Sequence, residues 1–210
     1  MKIIVAVAAL AGVIAVSPPV WAATPTDQLR EYTEHVLKVL EDPALKQEER
    51  KHERRAAVRK LAVEAFDVQE TARRALGPHW QARTPAERDE FVQLFAELVE
   101  ATYISRIDYF GGERLRFVSE KIDGDYASVR ALVITRQGTE VPVDARMLRK
   151  GDRWLIYYVV IENVSLINNY RAQFDRIIRT ASYGELVKKL KSRGELINDN
   201  KETKPRRTSR

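Results

Sequence analysis

Three histidines, His35, His52 and His79, are the residues of this 210-residue chain whose side chains could most readily act as base, nucleophile or metal ligand. They are far apart in sequence, and none has the spacing of a metal site. His52-Glu53 is followed by Arg54-Arg55-Ala56, so the two-histidine helix of a zinc protease does not form, and a solvated charged face is the reading. Ser165 lies in Asn163-Val164-Ser165-Leu166-Ile167, which lacks the glycines of a nucleophile elbow and suits a helix cap instead. Asp123 and Asp125 begin like a calcium loop but lack its downstream ligands; Asp-Gly-Asp between two strands is a hairpin turn. The chain has no cysteine and no glycine-rich phosphate loop. General acid–base or nucleophilic catalysis has little to work with, and the expectation is a non-enzyme with neither metal nor cofactor.

The elements explain what the apolar residues do instead. Thr26 to Leu40 sets Leu29, Tyr32, Val36, Leu37 and Leu40 on one helix face, and Asp42-Pro43 stops it. Gln47 to Phe66 is a second helix, charged first and apolar last, and a short one from Asp67 ends at Gly77-Pro78. Thr84-Pro85-Ala86-Glu87 is a capping box, after which Phe91, Leu94, Phe95, Leu98, Val99, Thr102 and Tyr103 form a stripe running toward Tyr109. The period then becomes twofold. Arg114 to Ile122, Tyr126 to Arg136, Val141 to Lys150 and Trp154 to Ile161 are strands joined by short turns, the last with large side chains on both faces. Ser165 opens a helix through Leu166, Ile167, Tyr170, Phe174 and Ile177, and Ser182 with Glu185 opens a final one. The fold class is α+β: an antiparallel meander of about four strands with helices packed on one face and an apolar cavity between the layers.

Met1-Lys2, the apolar run Ile3 to Val16 and the break at Ser17-Pro18-Pro19 read as a signal peptide cut after about Ala22. Cutting there takes 22 residues and one lysine from 210 residues at net charge +6, leaving 188 at +5, enough for one domain over 23–197. A basic tail, 198–210, has no packed core of its own to join and is expected to be disordered. For an exported protein, basicity points to anionic lipid surfaces or acidic protein partners rather than nucleic acid.

Trp154, Tyr157, Val159, Ile161-Glu162, Val164-Ser165-Leu166, Asn169-Tyr170-Arg171 and Gln173-Phe174 resemble the signature of the MlaC family of periplasmic phospholipid-binding proteins. A second segment is similar to the same family: Phe66-Asp67, Ala72-Arg73, Ala75-Leu76-Gly77, Trp80, Thr84-Pro85-Ala86, Arg88, Glu90-Phe91 and Phe95. Tyr158 and Asn163 depart from it, standing where the family usually has aspartate and glycine. The departures suggest a divergent branch, such as the hopanoid-associated relatives.

The resemblance implies a periplasmic shuttle that holds phospholipid by its acyl chains as cargo and helps maintain outer-membrane lipid asymmetry. The partners it implies are an outer-membrane lipoprotein–porin complex and an inner-membrane ABC transporter with a hexameric lipid-binding subunit. The expected pocket is lined by Phe91, Phe95, Leu98 and Tyr103 of the long helix, Ile134, Val143 and Met147 of the sheet, Tyr158 and Val160 of the last long strand, and Ile167 and Tyr170 after it. The competing readings are a hopanoid-associated lipid-binding protein of the same fold, a small periplasmic enzyme on a cystatin-like or NTF2-like fold, and a fully packed adaptor.

Overall fold

Thr24 starts the first helix, α1 (Pro25–Glu41), by accepting a hydrogen bond from Asp27 N at 3.1 Å, with Pro25 at the position where a missing N–H costs nothing. A computed structural model describes residues 23–192, apart from the side chains of 105–107; the expected signal peptide and basic tail lie outside the described residues. Leu29 and Leu40 of α1 are buried, with Tyr32, Val36 and Leu37 half-buried beside them. After a 3-10 turn (Glu48–Arg50), α2 (Lys51–Ala65) buries only Val58 and Ala65, as its charged sequence dictates. Asp67 caps α3 (Val68–Leu76), which ends where Gly77 takes φ 59°. In α4 (Pro85–Tyr103) both halves of the capping box form, Glu87 N to Thr84 Oγ1 at 3.2 Å and Thr84 N to Glu87 Oε2 at 2.8 Å. The helix tightens into a 3-10 segment, Ile104–Tyr109, rather than continuing as α-helix to Tyr109.

The sheet runs in sequence order, every pair antiparallel: β1 (Arg114–Asp123), β2 (Tyr126–Ile134), β3 (Glu140–Lys150), β4 (Arg153–Ile161) and a two-residue β5 (Val164–Ser165). The expected meander of about four strands is present, and a two-residue fifth strand extends it. Glu162 and Asn163 both take positive φ, 50° and 64°, the pair that a two-residue hairpin uses, so the chain folds back on β4 before its next helix. Asparagine tolerates that region, as its place at the end of the strand suggests; the return pairing of Val164 and Ser165 on β4 is too short to show as a strand in the sequence. Ser165 then caps α5 (Leu166–Thr180), accepting from Asn168 N at 3.0 Å, and α6 (Tyr183–Ser192) follows.

The sequence predicts helices packed on one face of the sheet; instead they divide between two cores. On the inner face of the sheet, α1 and α2 pack through Leu29 and Ala65 against Ala127, Val129, Ala145, Met147, Trp154 and Ile156. Helices α3 to α6 build a second core around Phe91, Phe95, Tyr170 and Phe174, with Leu76, Trp80 and Leu186. Its rings are ordered: Phe95 meets Tyr170 and Phe174 edge-on at centroid separations of 5.4 and 5.8 Å and stacks on Phe91 at 5.9 Å.

That core joins the sheet along β4. Phe66 bridges Ile156, Asp67 N donates to Ile156 O at 2.8 Å, and the Thr71 hydroxyl reaches Tyr157 O at 3.2 Å. Gly77 lets the Arg171 side chain lie against the backbone; a Cβ there would come within 2.7 Å of Arg171 Nε. The two separated sequence segments with a family resemblance are thus in contact in the fold.

Candidate functional site

Strand register decides what each sheet residue can line, because partners across antiparallel strands share a face and neighbours along a strand alternate. On the inner face the rows Ala127–Met147–Ile156 and Val129–Ala145–Val159 lie in or against the packed core. The next rows, Phe117–Ala131–Val143–Ile161 and Leu115–Val133–Val141, loosen: Ala131 is buried, but Leu115, Val133, Val141 and Val143 are half-buried and Ile161 is 39% exposed. Here α1 and the chain after the 3-10 segment leave an apolar cavity of about 140 Å³, lined by Thr33, Leu37, Phe110, Leu115 and Val133, with Glu113 and Arg114 as its polar members. The outer face mixes polar and apolar residues, with Arg130 paired to Asp144 across the strands at 2.9 Å.

A larger hollow, about 300 Å³, opens between α3, the start of α4 and the end of β3, and it is lined mainly by charges. Asp67, only 4% exposed, gives Oδ1 to the α3 cap, while Lys150 Nζ sits 2.6 Å from Oδ2 without hydrogen-bond alignment. Glu70 is gripped by Arg73 and Arg74; burial opposes its ionisation, and the two guanidinium groups outweigh that and hold its carboxyl below the ordinary value. Arg88 donates to Trp80 O and lies over the Trp80 ring. Volume favours this hollow, since ligand pockets run from about 300 to 1,000 Å³. Chemistry favours the smaller one for an apolar ligand, because the larger hollow is lined by charges, among them the Asp67–Lys150 and Glu70–Arg73 pairs.

A third cluster lies at the start of α2. Arg54 and Arg55 both donate to Asp108, Arg54 Nη2 to Oδ1 at 3.0 Å and Arg55 Nη2 to Oδ2, and Lys51 Nζ stands 3.6 Å from Oδ2. Burial works against the Asp108 charge, but these donors prevail and keep the carboxyl below its usual range. His79 bonds Asp175 at 2.9 Å, whereas His35 and His52 are exposed. Among the described residues no group of three or more His, Asp or Glu side chains could hold a metal ion.

The structure places the eleven expected pocket residues in different surroundings. Phe91, Phe95, Leu98, Ile167 and Tyr170 come together in the core of α3 to α6, with Tyr158 against them. Met147 belongs to the other core, and Val143 shares its face. Register puts Ile134, Tyr158 and Val160 on the outer face, opposite Val143 and Met147. Tyr103 is half-buried at the end of α4. Leu37, Phe110, Leu115 and Val133 were missing from that set, although the α1 stripe contained Leu37 and twofold alternation from Ala131 and Phe117 leads to Val133 and Leu115.

The family model for the MlaC protein matches residues 30–192. The chain belongs to the MlaC family. The match takes in α1 from Arg30 onward, the other helices and the whole sheet. Among solved structures, the phospholipid-binding protein from Ralstonia solanacearum, determined in complex with a phospholipid, is similar with a TM-score of 0.69 at 22% identity, over 81% of this chain and 97% of that one. It shares the MlaC fold seen here: helices on an open antiparallel sheet. An NTF2-like transpeptidase candidate from Campylobacter jejuni matches with a TM-score of 0.38 at 16% identity over 63% of this chain and 96% of that one, too low to relate the two folds.

Proposed function

We propose that this MlaC-family chain is a phospholipid carrier of the periplasm, exported by a leader cut after about Ala22. The observation that carries the reading is the loosening of the inner face, where an apolar cavity opens between α1 and the rows that run from Leu115 to Val141 and from Phe117 to Ile161. The similar Ralstonia protein, with a phospholipid bound, supports the choice of ligand. Acyl chains enter at Leu37, Phe110 and Val133 and extend over Val143 toward Met147, while the headgroup stays at the mouth. The aromatic core of α3 to α6 supports the wall and does not line it. A cavity of about 140 Å³ is smaller than the ~300 Å³ at which ligand pockets begin, so loading moves α1 away from the sheet. The partners in this reading are an outer-membrane lipoprotein–porin complex and an inner-membrane ABC transporter with a hexameric lipid-binding subunit, and the protein is a binding protein rather than an enzyme.

Native mass spectrometry of the purified protein, with lipid extraction, tests it. Phospholipid is expected to co-purify, and Val133→Trp, which fills the cavity, is expected to lose it while keeping the fold. A wild-type protein that is free of lipid and takes none from phospholipid vesicles overturns the reading.

A further inference from the structure

Arg54 and Arg55 are adjacent on α2, yet both guanidinium groups converge on the single carboxylate of Asp108. Lys51 also approaches it, but that amine is shared with Glu48 at 3.0 Å. Setting the Lys51–Glu48 pair aside as neutral, two arginines and one aspartate leave one positive charge in a partly buried place. Nearby, Arg50 and Glu53 pair with each other.

The donors are in surplus as well. Each guanidinium carries five N–H groups and accepts nothing. Arg54 spends one on Asp108 and one, at 3.5 Å, on Leu45 O; the Nε atoms of Arg54 and Arg55 are buried and have no hydrogen-bond partner among the described residues. Buried donors without acceptors are costly, and folds rarely keep two side by side without a use. Guanidinium forks match the oxygens of phosphate, which they hold through paired hydrogen bonds.

Position completes the case. Asp108 is two residues from Phe110, and two residues of chain span at most about 7 Å. Phe110 lines the apolar cavity, and Tyr109 between them is 85% exposed. The carboxylate that gathers the two arginines therefore lies close along the chain to the lining of the apolar site, and among the described residues the cluster carries an excess positive charge.

We infer that Arg54 and Arg55, held by Asp108, form a subsite for a phosphodiester at the cavity mouth and bind the phosphate of the lipid whose chains enter beside Phe110. This rests on the carrier reading and deepens it. The subsite selects lipids that have a phosphate over lipids that have only acyl chains, and Asp108 keeps the two forks apart and oriented.

The full mature chain is exposed to vesicles that contain equal amounts of phosphatidylglycerol and diacylglycerol of the same acyl composition, and the lipids it extracts are counted by mass spectrometry. Wild type is expected to favour phosphatidylglycerol, and the paired change Arg54→Gln with Arg55→Gln to cut that preference by about tenfold, the factor that one charge-assisted hydrogen bond supplies, while diacylglycerol uptake persists. Arg55→Gln alone, at the more exposed of the two arginines, gives the same direction if the double variant fails to fold. An unchanged ratio, or equal loss of both lipids, overturns the subsite. Uptake of neither lipid by wild type overturns the carrier reading and the subsite together. Uptake of diacylglycerol without preference leaves the carrier standing and removes the subsite. Titration with inorganic phosphate separates the remaining source: phosphate binding that the arginine changes abolish, with no change in lipid ratio, assigns the cluster to free phosphate and refutes the headgroup role.

Discussion

Phe95→Ala separates a structural aromatic core from a lipid-lining one. Phe95 is 1% exposed and touches the rings of Phe91, Tyr170 and Phe174. An aromatic side chain buries on the order of 150 Å² or more, which at ~25 cal/mol per Å² is roughly 4 kcal/mol, of which the remaining methyl keeps a part. Lost ring contacts and an unfilled hole restore that part, in keeping with the ~3–5 kcal/mol seen for such truncations. At about 2–4 °C per kcal/mol for a domain of this size, the melting midpoint is expected to fall by roughly 6–20 °C. Urea denaturation of lipid-stripped protein measures the energy, and vesicle extraction at low temperature measures lipid per folded molecule, which is expected to stay at the wild-type value. A variant that loses under ~1 kcal/mol but most of its lipid would refute the division into two cores, because it would show that the hole Phe95 leaves is part of the pocket.

Asn163→Val places a β-branched residue at φ 64° in the turn before β5 and is expected to cost roughly 1–2 kcal/mol in urea denaturation, with Asn163→Gly close to neutral. Acid is expected to destabilise the fold. Asp108 and Glu70 have folded values below their unfolded ones, so their contribution is complete above the unfolded values near 4 and is lost as pH falls through the folded ones. The urea midpoint should then drop below about pH 4, and a midpoint flat through that range would contradict the roles given to the two clusters.

Helix boundaries were legible where a local signal set them. Thr84, Glu87 and Pro85 announce α4 three times over, and the structure supplies both hydrogen bonds of the box. The MlaC fold class was legible too, since four twofold-periodic segments joined by short turns have few arrangements other than a meander. The site was less so. Phe91, Phe95 and Leu98 look the same in sequence whether they line a pocket or fill a core, because both require apolar side chains at helical spacing. Ile134 and Val160 are apolar on the outer face, and only register separates them from Val133 and Val143. The convergence of Arg54 and Arg55 on Asp108 joins positions more than fifty residues apart, one in a segment that reads as solvated charge and the other at the end of a helix read for its apolar stripe.

A carrier's energetics follow from the same apolar rows. Two acyl chains with about 30 methylenes together gain roughly 24 kcal/mol against water, at ~0.8 kcal/mol each, which exceeds any ordinary affinity. The reference for a lipid, however, is the bilayer interior, as apolar as Leu37, Leu115 and Val133, so transfer between the two is close to thermoneutral. Selectivity must then come from groups that differ between protein and membrane surface, such as charged side chains at the mouth. The opening motion also has a visible constraint. α1 is tied at Tyr32, whose hydroxyl donates to Trp154 O at 3.2 Å and accepts from Arg153 at 3.1 Å, while Arg153 also reaches Glu64 O at 2.8 Å. These bonds lie at the packed end of the inner face, and the half-buried rows lie at the other. In the carrier reading, α1 is held near its middle at Tyr32, and its Leu37 end, which also carries the buried Leu40, is the part that moves off the half-buried rows to admit cargo. A passive carrier of this kind would exchange lipid in both directions, and net direction would have to come from its partners.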